Sequence, residues 1–247
     1  MNSSSPILIL AAMPEEAAAI ADLCTGLEPH PHPFSGNTNA SVRVGTLRGA
    51  DGASTPLVLV TTGIGTAAAA TTASWAITTF SPRLVISAGS CGGLAEDITV
   101  GSVVVGNTYA YSIADATAFG YEVGQVPGAP AQFTFPQMSA HVSAQIVEEC
   151  RAAGLNAREG LMISGDAFVT EPLAEPMRAK FPGAISADME TTALAHTCTL
   201  HSVPFVAIRA VSDLCSPRAG EEFHVGLDVA AAHSTQAVSV GIPLLLR

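Results

Sequence analysis

PLVLVTTGIGTAAAATTASWAITTFSPRLVISAGSCGG, residues 56–93, is the stretch whose reading decides the fold. It opens on a short apolar run, PLVLVTT (56–62), rich in β-branched residues and bounded by glycine, which reads as a buried strand. GIGT (63–66) breaks that run, and TAAAATTASWAITTF (66–80) has the composition of a helix. RLVISAG (83–89) is a strand again, and GSCGG (89–93) ends it in a second glycine turn. Two strands joined through a helix are the repeating unit of an α/β sheet.

The same alternation extends in both directions. ILILAA (7–12) reads as a buried strand, and a helix follows from Pro14 to about Leu23, with proline in its first turn. Residues 26–40, rich in Pro, His, Gly and Asn, read as a loop. SVRVGTLR (41–48) is a strand, and GSVVVGNTYAYSI (101–113) is a long strand or a pair. After a Gly- and Pro-containing loop at 120–136 come a helix at 139–153 and strands LMIS (161–164), AISA (184–187) and PFVAIRAVS (204–212). Helices near 172–181, 190–200 and 224–240 complete the pattern. No repeat, low-complexity tract or linker interrupts it, so the expectation is one α/β domain over 1–247, with a mostly parallel or mixed central sheet and helices on both faces.

Composition excludes several classes. Hydrophobic residues make up 48% and charged residues 13%, which fills a core easily and argues against disorder. Ten basic residues against twenty-one acidic ones give a net charge of −11, and Lys180 is the sole lysine, so no basic stripe exists for nucleic acid. Five scattered cysteines without a CxxC pair read as reduced thiols, which predicts a cytoplasmic protein. The N-terminus lacks the basic start and apolar run of a signal peptide, and no stretch approaches the ~20 apolar residues of a spanning helix, so no membrane association is expected.

In open α/β sheets, ligands gather beyond the carboxyl ends of the strands. Here those ends carry Met13, Glu15 and Glu16; GIGT; Ser90, Cys91 and Gly92; Asp166 and Phe168; Asp188, Met189 and Glu190; and Ser212 with Asp213. Acids at a helix start can be simple caps, but capping does not explain why every strand end is polar or glycine-rich. GIGTAA (63–68) fits a dinucleotide fingerprint yet lacks the acid about 20 residues on that would hold a ribose. Ser90 is not in a GxSxG elbow, Cys91 reads as a small packed thiol, and the seven histidines show no HExxH, so no metal is expected.

AAMPEE, GIGTAAAA, SAGSCGGLAEDITVGSVVV, DATAFGYEVGQVPG, ISGDAFV, ADMETTALAH and RAVSD stand in an order that resembles the 5′-methylthioadenosine/S-adenosylhomocysteine nucleosidases of the nucleoside phosphorylase superfamily. The resemblance runs from about Ile7 to Phe223. It implies a nucleoside phosphorylase-like domain with a distorted mixed sheet, a homodimer, a small nucleoside as substrate, and no cofactor. By resemblance, Asp213 is the general acid at adenine N7, with Ser212 orienting it; Glu16 activates water; and Glu190 binds the ribose hydroxyls over a floor made by Met189. Phe168 and Val169 form the adenine site, Ser90, Cys91 and Gly92 line the ribose and base wall, Met13 joins the substrate contacts, and Phe223 closes the pocket. Phe119 and Pro127 resemble the segment that reaches into the partner subunit's site, and Asp188 is read as a support rather than a contact. Ser112, Ile113 and Ala116 depart from the family pattern near the pocket for the 5′ tail. Competing readings are a futalosine-type nucleosidase, a nucleoside phosphorylase, whose phosphate turn MPEE does not match, and a non-catalytic nucleoside-binding protein.

Overall fold

The computed structural model describes residues 5–37, 39–48, 54–135 and 141–246, the side chains of Arg48 and Val225 excepted. Nine strands form one mixed sheet: β1 (Ile7–Ala11), β2 (Cys24–Pro29), β3 (Ser41–Arg48), β4 (Ser54–Thr61), β5 (Leu84–Gly93), β6 (Val103–Tyr111), β7 (Ala157–Ser164), β8 (Ala184–Asp188) and β9 (Phe205–Asp213). Their order is β2-β3-β4-β1-β5-β8-β7-β6-β9, and β9 pairs back onto β5. Five strands therefore close into a ring, from which β1, β4, β3 and β2 extend as an open wing. β5 is the hinge of this arrangement. It lies parallel to β1 over Leu84 to Ser87 and to β9 from Val85 to Gly92, and meets β8 antiparallel at Gly92 and Gly93.

Side-chain alternation explains why helices cover both faces. Ile7 and Ile9 of β1 join one buried cluster, whereas Leu8 and Leu10 join another. Helices α1 (Pro14–Ala21), α3 (Val142–Ala152) and α6 (Ala219–Leu245) pack on the first side, and α2 (Thr66–Phe80) and α5 (Thr191–Leu200) on the second. Helix α4 (Glu171–Lys180) contributes Ala174 and Met177 to a third, smaller cluster.

Two expectations need correction. The predicted loop at 26–40 begins as part of strand β2, an edge strand that pairs antiparallel with β3 through a bulge between Thr25 and Glu28. Its glycine and proline look loop-like, yet an edge strand tolerates both because one side has no partner to satisfy. Helix α6 starts at Ala219 rather than near 224, with Glu221 and Glu222 in its first turn where carboxylates suit the macrodipole. GSVVVGNTYAYSI is one strand, with a register shift between Gly106 and Thr108. Residues 139 and 140 of the expected helix lie outside the described residues.

Helix α6 approaches β9 at Gly226, where an added Cβ would stand 2.1 Å from the carbonyl oxygen of Ser212. Backbone cannot yield cheaply there. Gly226→Ala should cost ~1–3 kcal/mol, the usual range for overpacking, and lower Tm by several degrees in a thermal melt. Gly220→Ala, on the same helix but facing open space, should melt like the parent.

Candidate active site

The carboxyl ends of β1, β5, β8 and β9, with the segment after β7, surround a cleft open to solvent at its mouth. Met13, Glu16, Ser90, Cys91, Gly92, Phe168, Val169, Met189, Glu190, Ser212, Asp213 and Phe223 all line it. Phe119 and Pro127 do not; both are exposed, Phe119 at 85%. Ala12, Ile64, Ala167, Ala187 and Cys215 also line the cleft and were not singled out from the sequence. Only Ile64, inside GIGT, carried a usable signal there, because the alanines are indistinguishable from core residues.

Glu16 is buried at the start of α1 and accepts four hydrogen bonds. Oε2 takes the backbone N–H of Ala12 (2.9 Å) and of Met13 (3.1 Å), and Oε1 takes the N–H and hydroxyl of Ser90 (2.8 Å each). This approach requires a glycine at position 89. Gly89 has φ +139°, and a Cβ there would lie 2.5 Å from the Glu16 carboxyl carbon.

Arg209, buried on β9, ties the acids together. Its Nε donates to the carbonyl of Ser90 (2.8 Å), Nη1 to the hydroxyls of Ser87 (3.0 Å) and Thr191 (3.2 Å), and Nη2 to Glu190 Oε2 (3.3 Å). Glu16 and Asp188 stand 4.0 and 3.8 Å from the guanidinium. The other oxygen of Glu190 accepts the N–H of Gly65, at the N-terminus of α2 (2.9 Å). Burial pushes the Glu190 carboxyl up to about 7; Arg209 and the Gly65 N–H oppose the rise, and Asp188 and Glu16 add to it.

Glu190 makes no capping bond to α5. Asp188 does this instead: its Oδ1 accepts the N–H groups of Glu190 (2.9 Å) and Thr191 (2.8 Å) and the hydroxyl of Ser164 (2.8 Å). The two acids around Met189 thus divide the work, one holding the helix and the other facing the cleft.

On the opposite wall Asp213 Oδ2 accepts the Ser212 hydroxyl (3.0 Å) and Oδ1 the N–H of Cys215 (3.1 Å). Burial raises its carboxyl above the ordinary range, opposed by those two donors and helped by Glu222. Phe168 and Phe223 meet edge to face, with centroids 5.8 Å apart. Burial holds the Cys91 thiol far above its usual value, and its Sγ turns to the carbonyl of Ala210 (3.5 Å), so it packs as a neutral thiol. Among the described residues no group of three or more His, Cys, Asp or Glu is arranged to hold a metal ion.

Comparison with known proteins agrees in sequence and in shape. The phosphorylase superfamily model matches residues 6–240. The 5′-methylthioadenosine/S-adenosylhomocysteine nucleosidase of Geobacillus sp. (strain WCH70) is 36% identical over 233 residues, covering 94% of this chain and 95% of that protein. Among solved structures, the nucleosidase of the same description from Neisseria meningitidis, in complex with methylthio-immucillin-A, superposes with TM-score 0.87 at 32% identity over 96% of this chain and 98% of its own. The one from Colwellia psychrerythraea 34H, in complex with adenine, gives 0.87 at 31% over 98% and 96%. A futalosine hydrolase of Helicobacter pylori, at 23% identity, shares the fold. A match along nearly the whole chain, a relative at 36% identity and a common architecture make this chain a member of the 5′-methylthioadenosine/S-adenosylhomocysteine nucleosidase family of the phosphorylase superfamily.

Proposed function

We propose that this protein hydrolyses the N-glycosidic bond of 5′-methylthioadenosine, S-adenosylhomocysteine or both, releasing adenine and the thioribose. One observation carries the reading: two buried acidic side chains, Glu16 and Asp213, share one cleft. Glu16 is anchored on Ser90, and Asp213 pairs with Gly92 two residues further along the same strand. Their anchor points are therefore ~7 Å apart, which leaves room for a glycosidic bond between them. Asp213, its carboxyl raised by burial, gives its proton to N7 of adenine as the C1′–N9 bond breaks. Glu16 takes a proton from water as the water oxygen bonds to C1′. Across the reaction one proton leaves Asp213 and one arrives at Glu16, and one water is consumed. Glu190 accepts the ribose hydroxyls and faces the positive charge that grows on the sugar, Met189 lies under the ring, and Phe168, Val169 and Phe223 enclose the base.

Two features favour water over phosphate. Among the described residues Arg209 is the only basic side chain lining the cleft, and its donors are committed to Ser87, Ser90, Thr191 and Glu190. Glu16 adds a carboxylate where an anion would have to approach. A futalosine-type substrate needs the same chemistry, so the two readings differ only in the 5′ tail. Simple nucleoside storage would have no use for an acid and a base together.

The whole chain acts, on this reading, as one domain in a cytoplasmic homodimer. Ile113, Phe119, Tyr121 and Val123 expose apolar surface within eleven residues of chain, an arrangement suited to a second copy in which Phe119 and Pro127 reach the neighbour's 5′ tail. No helix among the described residues is long and apolar enough to cross a membrane.

Asp213→Asn and Glu16→Gln should each keep the fold and lose at least ~10²-fold in kcat, with adenine release as the assay. Near-normal turnover in either would remove the role assigned to it. Adenine should appear at full rate in phosphate-free buffer, with free methylthioribose as co-product; methylthioribose 1-phosphate as the main product would overturn the hydrolytic reading. Phe119→Ala should raise KM for methylthioadenosine more than for adenosine, and sedimentation should report a dimer. Because the folded-state value of Glu190 lies above its unfolded one, its contribution to stability is fully present below pH ~4.5 and is lost as pH rises to about 7. Substrate binding needs the ionised form and runs the other way. Thus kcat/KM should fall as pH drops below 7, and Glu190→Gln should abolish that limb of the profile.

A further inference from the structure

Asp166 follows β7 in the sequence Ser164-Gly165-Asp166-Ala167 and is exposed. It nevertheless grips the first turn of α2 with both oxygens. Oδ1 accepts the backbone N–H of Thr66 (2.6 Å) and Oδ2 the Thr66 hydroxyl (2.5 Å). The residue before Thr66 is Gly65, whose N–H is the donor to Glu190 Oε1. Residue 65 has no side chain with which to fix its own orientation, and a Cβ there would sit 3.0 Å from Asp166 Oδ1. Asp166 thus holds the Gly65–Thr66 peptide, whose carbonyl also accepts the Ala69 N–H (3.0 Å), and Glu190 takes the N–H of the adjoining Ile64–Gly65 peptide, so the two carboxyls restrain neighbouring peptide units on either side of Gly65. Arg209 holds Glu190 by its second oxygen only, through a longer contact of 3.3 Å.

We propose that Asp166 is a positioning residue for Glu190: by clamping Thr66 it keeps the Gly65 N–H on Oε1 and so fixes the carboxylate that receives the ribose hydroxyls. The inference rests on the reading of Glu190 as the ribose-binding acid. It makes a specific demand on chemistry remote from the base. Cutting the clamp frees one oxygen of Glu190 to rotate, so binding of the sugar suffers while binding of adenine alone does not.

The test is a double-mutant cycle on kcat/KM for methylthioadenosine, with inhibition by free adenine measured beside it. Asp166→Ala should lose roughly 10-fold, the scale of one hydrogen bond to a charged group. Asp166→Asn should stay within about 3-fold, because the amide oxygen still accepts the Thr66 N–H and its NH₂ can donate to the hydroxyl. In a Glu190→Gln background Asp166→Ala should cost less than about 2-fold, since the group it positions is already impaired. The inhibition constant of adenine should be the same in Asp166→Ala as in the parent. Thr66→Val, which removes one donor from the other side of the clamp, should give a smaller loss that also vanishes with Glu190→Gln, and it serves if Asp166→Ala does not fold. Multiplicative losses, or weaker adenine inhibition in Asp166→Ala, would mean that Asp166 acts through the neighbouring Phe168 loop and would overturn the proposal while leaving Glu190 its role. A Glu190→Gln enzyme with unchanged kcat/KM would overturn both.

Discussion

The interaction on which the rest of the site depends is the burial of Arg209. A guanidinium taken out of water costs several kcal/mol unless its donors are satisfied and its charge is balanced. Here Ser90, Ser87, Thr191 and Glu190 accept from it, and Glu16 and Asp188 lie within 4.0 Å. One cation faces three carboxyls, so the cluster cannot carry all three negative charges cheaply. Burial raises the Glu190 carboxyl to about 7, with Arg209 opposing the rise and Asp188 and Glu16 adding to it. Glu16 and Glu190 both line the cleft, so acids that balance Arg209 also form part of its wall.

This arrangement needs strands from distant parts of the chain to end at one place, and the closure of β9 onto β5 provides that. Pairing of Gly92 with Asp213 and of Gly92 with Ala187 brings the ends of β9 and β8 to the same point on β5. Glycine at 92 is part of the same geometry, because a Cβ would stand 2.6 Å from Cys215 Sγ and 3.3 Å from Asp213 Oδ1. The crowded strand end keeps Asp213 out of bulk water, and exclusion from water is what raises its carboxyl.

Much of this was legible in the sequence, and the failures have physical reasons. ILILA and RLVISAG announce themselves because strands buried on both faces must be continuously apolar. Strand β2 does not, because its residues are half exposed and its pairing is fixed by β3 rather than by its own composition. Twelve residues assigned to the site by motif do line one cleft. What motif and spacing did not reveal was how the acids are held. ADME alone cannot say which carboxylate caps α5, since Asp188 and Glu190 are both within reach of the first turn; the choice depends on Ser164 and Arg209, contributed by other strands. Nor could GIGT be read as a donor to Glu190, because that contact joins residues 125 positions apart. Phe119 and Pro127, also assigned by motif, lie outside this cleft and are exposed.

On the proposed reading, the preference for water over phosphate follows from the same use of donors. A helix N-terminus after a strand is a ready anion site, since its free N–H groups and dipole favour negative charge. Helix α1 has that location, directly after β1 and beside the cleft. Yet its own third residue, Glu16, folds back and takes the N–H groups of Ala12 and Met13, with the N–H of Ser90 from β5 as well. Three N–H donors at this end of the cleft therefore already hold an internal carboxyl. An anion arriving there would meet the acidic side chain of Glu16, whereas a water molecule finds an acceptor. On the proposed reading, a single side chain therefore makes two choices at once: it supplies the base that hydrolysis needs and occupies the cradle that phosphorolysis would require.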